Sequence, residues 1–122
     1  LFTVPVYGGT YHLLDQILEP YGVHPVPVPA GDSKALAAAI AEAPDLRLVF
    51  IETPANPTLQ MTDIASAVKA ADARDPRPLV AVDNTFMGPV FQHPIAIGAD
   101  LCIYSATKYL AGIRDMLGGV PI

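Results

Sequence analysis

Cys102 is the only cysteine in 122 residues, which rules out an internal disulfide and a cysteine-rich metal cluster. No metal site is expected. A lone thiol suits a reducing compartment, and the expected location is cytoplasmic. Basic side chains are also scarce: seven Lys and Arg stand against twelve Asp and Glu, a formal net charge of -5. That balance excludes a surface made for nonspecific nucleic acid or anionic lipid, so any bound anion must be held by a few local donors. No apolar run reaches the ~18 residues that read as a membrane helix. The opening residues Leu1 to Val6 lack the basic stretch of a targeting signal. A G-x-G-x-x-G turn is missing too, which removes the dinucleotide-binding domain as a reading. With no initiating Met and no closing helix after Gly118, the chain reads as part of a larger protein.

What is present is apolar. Hydrophobic residues make up 52% and charged ones 16%, enough for a one-domain core. Short apolar runs at Leu1 to Val6, Val23 to Pro29, Leu46 to Ile51, Leu79 to Val82, Asp100 to Tyr104 and Gly118 to Ile122 read as strands, the proline-interrupted second one as an edge. The runs at Leu46 and Leu79 are dense enough for burial on both faces. Between them lie helical patterns: Tyr11 to Pro20, with Leu13, Leu14, Ile17 and Leu18 at helical spacing and Thr10 able to cap; an alanine-rich helix opened by Asp32 or Ser33 and reaching Ala43; and Ile64 to Ala73, capped by Thr62 or Asp63. A loop carrying Pro89 and His93-Pro94 precedes the fifth run. Alternating strands and helices imply an α/β fold, a parallel-rich sheet with helices on both faces.

In such a sheet the carboxyl ends of the strands share one edge, where ligands bind. Tyr7, Glu52 with Asn56, Asp83 with Thr85, and Ser105 to Lys108 each follow a strand and so meet at that rim. Lys108 follows an apolar run, a setting that lowers an amine's pKa and suits a Schiff-base lysine; the alternative is a lysine snorkelling from a strand end. Asp83 could pair with a protonated pyridine nitrogen or cap its own loop. Ser105 and Thr107 could donate to phosphate oxygens or cap turns. Tyr7, beside Gly8 and Gly9, could stack on a flat cofactor and act as an acid, or sit in the core. Asn56 could reach a ring oxygen or merely shape its turn. His12, His24 and His93 fall away from the rim and are expected to be structural.

Tyr7-Gly-Gly-Thr10, Glu52-Thr-Pro-Ala-Asn-Pro57, Val82-Asp-Asn-Thr-Phe86, Gln92, and Gly98-Ala-Asp100 followed by Ser105-Ala-Thr-Lys-Tyr-Leu110 together resemble the cysteine/methionine-metabolism family of pyridoxal-phosphate enzymes, of the cystathionine γ-synthase, cystathionine γ-lyase and methionine γ-lyase type. The resemblance covers essentially the whole chain. It implies an aspartate-aminotransferase-like large domain, with residues 1–122 as its central segment and the N-terminal segment and C-terminal small domain absent. It further implies pyridoxal 5'-phosphate as cofactor, with Lys108 as the Schiff-base lysine and Asp83 as the partner of the pyridine nitrogen. Tyr7 would be the ring-stacking acid, Ser105 and Thr107 the phosphate ligands, and Asn56 and Thr85 further neighbours of the cofactor. The family's upstream phosphate turn, its neighbouring-subunit contacts and its C-terminal substrate arginine are not among these residues. A homo-oligomer, dimer or tetramer, acting on a small amino acid is therefore the expected assembly.

The chain departs from the family at one place. Where Gly-His-Ser-Asp is usual after the lysine segment, it reads Gly112-Ile-Arg-Asp115, losing a histidine and gaining Arg114, for which surface exposure is the plain reading. Gly9 stands where methionine γ-lyases resemble one another in having cysteine, which disfavours strict methionine specificity. The expected activity is γ-elimination or γ-replacement on sulfur-containing or O-acyl-homoserine-type amino acids. The competing expectation is a noncatalytic, degenerate α/β binding or assembly module of the same family.

Overall fold

The computed structural model describes residues 1–113 and 115–122. Six strands form one sheet: β1 (Phe2–Val4), β2 (Pro27–Pro29), β3 (Leu48–Glu52), β4 (Leu79–Asp83), β5 (Leu101–Ser105) and β6 (Gly119–Pro121), in the order β2-β1-β3-β4-β5-β6. The first five run parallel and β6 is antiparallel to β5. Between Ser105 and Gly119 the described residues hold one wide turn at Ala106–Leu110 and no full crossover helix, and β6 returns in the opposite direction. The proline-rich β2 lies at the edge, as a strand short of amide donors must.

One face of the sheet is sealed. Val49 and Ile51 of β3 and Val80 and Val82 of β4 pack beneath α2 (Ser33–Glu42) and α3 (Ile64–Asp72). These helices turn Leu36 and Ile40, and Ile64, Ala67, Val68 and Ala71, inward at helical spacing. Fully burying a side chain such as Ile40 contributes about 1.5–3 kcal/mol. Both helices start on an aspartate: Asp32 accepts the Ala35 amide at 2.9 Å, and Asp63 the Ser66 amide at 3.0 Å. Gly98 shows why that face closes tightly. Its φ of +109° lies in the left-handed region, and a Cβ there would come within 2.9 Å of Val68 Cγ1.

The opposite face is only partly covered, against the expectation that β3 and β4 are buried on both sides. Helix α1 (Gly8–His12) meets it where Tyr11 sets its ring edge against Phe2, centroids 6.1 Å apart. Leu48, Leu79 and Leu101 remain 36%, 50% and 36% exposed, because among the described residues no helix lies over the amino-terminal half of that face.

Three local expectations change. The helix after β1 begins at Gly8, so Thr10 falls inside its first turn and caps nothing. It then widens into a π-helical stretch at Leu13–Leu18 and tightens at Glu19–Tyr21 before Gly22 ends it at φ +81°. Leu13, Leu14, Ile17 and Leu18 keep their helical spacing but none is buried. The segment read as a loop before β5 holds two single-turn helices, α4 (Gly88–Phe91) and α5 (Pro94–Ile97), each with a proline in its first turn, where the missing amide costs nothing.

The amino ends of the strands are stitched by charge. Arg77 spans Asp72 at 2.7 Å and Asp100 at 2.8 Å, and Asp100 also accepts the Val80 amide at 2.7 Å. Burial alone would raise the Asp100 carboxyl, but the Arg77 and Val80 hydrogen bonds outweigh it and hold the group below the ordinary range. On the sealed face, burial pushes both the Cys102 thiol and the Tyr104 phenol up, so Cys102 sits in the core as a protonated thiol.

Candidate active site

Strand register builds the rim. Parallel pairing sets Glu52 opposite Asp83 and Asp83 opposite Ile103, so β3, β4 and β5 end side by side with polar residues on the less-covered face. Above them opens a cleft of about 680 Å³. Every residue singled out from the sequence lines it: Tyr7, Asn56, Asp83, Thr85, Ser105, Thr107 and Lys108. None of the three histidines does.

Lys108 lies where the helical turn after β5 breaks, at φ -92° and ψ -116°. The apolar run before it does not enclose it. Lys108 is exposed at the cleft mouth, with Nζ 5.9 Å from the centroid of the Tyr7 ring. A cation over a ring face at that range is weakly attracted, so the two side chains define one wall. Gly9 allows the ring to lie there, since a Cβ at position 9 would sit 2.8 Å from Tyr7 Cε1.

Asp83 is half-buried, and its Oδ1 accepts the Thr85 amide at 2.9 Å. The loop-capping role is thus real, yet it occupies one carboxylate oxygen and leaves the other without a hydrogen bond among the described residues. Thr85 in turn accepts the Ser105 amide through Oγ1 at 2.8 Å, tying the ends of β4 and β5 together. The Ser105 hydroxyl makes no hydrogen bond among the described residues. Thr107 is already engaged: its Oγ1 accepts the Gly118 amide at 3.0 Å and donates to the Gly118 carbonyl at 3.4 Å. Ile113, in the departing tetrapeptide, is 79% exposed. The reading of Arg114 falls outside the described residues.

Two residues had no chemical role in the sequence reading. Glu52, at 4% exposure, is the best-enclosed carboxylate of the rim: Oε2 accepts the Tyr7 amide at 2.8 Å and Oε1 the Asn56 amide at 2.7 Å. Burial pushes its carboxyl up, the two amides oppose this, the charge of Asp83 adds to it, and the balance is a raised pKa. Asn84, wholly buried, is the knot beneath the rim. Its Nδ2 donates to the Gly88 carbonyl at 3.0 Å, the Gln92 carbonyl at 2.9 Å and Tyr104 Oη at 3.1 Å, while its Oδ1 accepts from Gln92 Nε2 at 2.7 Å. The signals of these residues were a polar position after a strand and a place in the Glu52–Pro57 and Val82–Phe86 motifs, neither of which specifies a role.

Chemically the cleft offers an accessible amine, a half-buried carboxylate with one oxygen to spare, an exposed aromatic face and a free hydroxyl. A flat, anionic, carbonyl-bearing cofactor with a basic ring nitrogen matches that donor set.

Comparison with known proteins adds the following. The model of the family described as Cys/Met metabolism PLP-dependent enzyme matches residues 1–122. Cystathionine beta-lyase MetC of Staphylococcus haemolyticus is 44% identical over 117 residues, 96% of this chain and 29% of that protein. Cystathionine gamma-synthase of Escherichia coli is 44% identical over 116 residues, 95% of this chain and 29% of that protein. The crystal structure of metB from Corynebacterium glutamicum superposes with a TM-score of 0.92 at 34% identity, covering 99% of this chain and 30% of that one. The chain thus spans less than a third of the length of these relatives.

Proposed function

The chain belongs to the Cys/Met metabolism family of pyridoxal-phosphate-dependent enzymes, and from that premise we propose that it is the central segment of a cofactor-binding domain serving γ-elimination or γ-replacement on sulfur-containing or O-acyl-homoserine-type amino acids. The observation that carries this reading is the meeting of Lys108, Asp83, Tyr7 and Ser105 in one cleft at the carboxyl ends of β1, β4 and β5. When bound, pyridoxal phosphate supplies an electron sink for negative charge developing at the substrate Cα.

The residues divide the work. Lys108 Nζ would hold the cofactor through its carbonyl carbon, the carbonyl oxygen leaving as water, and the same amine would serve as general base for the Cα proton. The free oxygen of Asp83 holds the proton of the ring nitrogen. Tyr7 offers its ring face for stacking, and its phenol can protonate a leaving group. Ser105 donates to the phosphate, while Thr107 joins it when the Gly118 contact opens. Thr85 fixes the Ser105 amide, and Asn56 reaches the ring oxygen. The full protein works as a cytoplasmic homo-oligomer on a small amino acid.

Reconstitution of the full-length protein tests this. The wild type should show the visible band of bound cofactor, removable by borohydride, and release 2-oxobutyrate from a γ-substituted substrate. Pyruvate from cystathionine would assign β-elimination instead. Lys108→Ala should lose both band and turnover, and substantial turnover in that variant would refute the lysine's role. A wild type with no band would favour the noncatalytic module, a reading that Ile113 in the departing tetrapeptide supports.

A further inference from the structure

We propose that Glu52 is a positioning residue that sets the cofactor-facing Tyr7 and Asn56 from below, by holding both of their backbone amides on one buried carboxylate. The inference rests on the functional reading above and extends it to a carboxylate in the same cleft whose two oxygens are taken up by those amides. Tyr7 and Asn56 are 49 residues apart in sequence and belong to loops after different strands, β1 and β3. Among the described residues nothing else joins these two amides. The Tyr7 N–H lies 2.8 Å from Oε2 and the Asn56 N–H 2.7 Å from Oε1, so each loop is pinned at the residue whose side chain faces the cleft. Glu52 is itself fixed, since its own amide donates to the buried Thr3 hydroxyl at 3.1 Å.

The charge state matters to this clamp. An ionised carboxylate accepts both amides, whereas a protonated one, or a glutamine, turns one of its two polar atoms into a donor facing an N–H. One loop is then released. The other titratable groups lining the cleft are Asp83 from β4, the Tyr7 phenol, and Lys108 and Tyr109 from the turn after β5. Burial, and to a lesser extent the Asp83 charge, move the Glu52 titration above that of a free glutamate, so the release begins at a higher pH than for an exposed glutamate.

Glu52→Gln in the full-length protein is the central test, because glutamine copies the protonated acid in shape and charge. Pyridoxal phosphate affinity, followed by fluorescence titration, should be roughly ten- to a hundredfold weaker in the variant at about pH 8, the value of one charge-assisted hydrogen bond. The ratio of wild-type to variant affinity should then shrink toward one as pH falls through the Glu52 titration. The thermal midpoint of the cofactor-free protein should change little. A ratio of one throughout, or a ratio that ignores pH, would overturn the proposal. A lower midpoint with unchanged affinity would reduce Glu52 to a structural carboxylate and overturn it as well.

A second measurement needs neither the variant nor the cofactor. In cofactor-free wild-type protein labelled with ¹⁵N at Tyr and Asn, the Tyr7 and Asn56 amide resonances should titrate together, with a single midpoint above that of free glutamate. Amides that titrate separately, or not at all, would refute the clamp. This arm also separates the two ideas: if the amides titrate together but pyridoxal phosphate does not bind, the clamp stands and the cofactor reading falls.

Discussion

Replacing Asn84 by leucine should destabilise the protein by about 3 kcal/mol without altering its cofactor-facing side chains. Leucine keeps the branched outline of the side chain, so most of the loss is polar, with some overpacking from its larger methyls. The Gly88 carbonyl and Tyr104 Oη are both buried and lose the Nδ2 donor, and an orphaned buried group costs about 1–3 kcal/mol. The Gln92 carbonyl and side-chain amide lose partners too, but Gln92 is half-buried and also reaches the Thr53 carbonyl at 3.3 Å, so water and that bond limit its share. Asn84→Asp separates the donor from the shape. It keeps the acceptor for Gln92 Nε2 but aims a second acceptor at the Gly88 and Gln92 carbonyl oxygens, so its carboxyl should stay protonated to an unusually high pH. Urea unfolding of both variants beside wild type is the assay, and for Asn84→Asp the deficit should shrink as pH falls and the acid gains a proton to donate. A cost below about 1 kcal/mol for Asn84→Leu, or a pH-independent deficit for Asn84→Asp, would refute the view of Asn84 as the knot beneath the rim.

Asp83→Asn should retain part of the cofactor affinity while losing turnover, because asparagine keeps the Thr85 contact but cannot stabilise a cationic ring nitrogen; equal turnover would remove Asp83 from that role. Asp100, held below its ordinary value of 3.8, contributes stability above that pH and loses the contribution as pH falls through its folded pKa. The difference in thermal midpoint between wild type and Asp100→Asn should therefore narrow below about pH 4, and a constant difference would contradict the assignment. Residues 1–122 made alone should show no stable cofactor band and no ketoacid release, since each missing charge-assisted contact to the cofactor weakens binding by roughly one to two decades; turnover by this segment would show the rest of the protein to be dispensable.

Much of this was legible in the residues. Strand ends and helix caps are local signals, so the rim positions could be read directly and the caps to within one residue, Asp32 or Ser33 and Thr62 or Asp63, and parallel pairing then made Tyr7, Asp83 and Lys108 neighbours. What escaped was non-local or directional. The enclosure of Lys108 depends on what stands across the cleft, which an apolar run before it does not specify, and in this chain the residue is exposed. The exposed side of β3 and β4 follows from the absence of a covering helix among the described residues, although Leu48 and Leu79 read as core. Glu52 looked like one more polar residue after a strand because its role lies in two backbone amides, and the aim of an amide leaves no trace in composition. The direction of β6 was hidden in the same way, inside the wide turn that replaces a crossover.

The placement of the Arg77, Asp72 and Asp100 stitching has a consequence for how such a chain can change over generations. These charges tie the sheet at its amino edge, the end remote from the cleft. Substitutions among the exposed cleft residues, Tyr109 or Leu117 for instance, leave that anchorage untouched. Innovation and integrity are thereby assigned to opposite ends of the same strands, and a lineage can vary the lining of the cleft while the other end keeps the sheet whole.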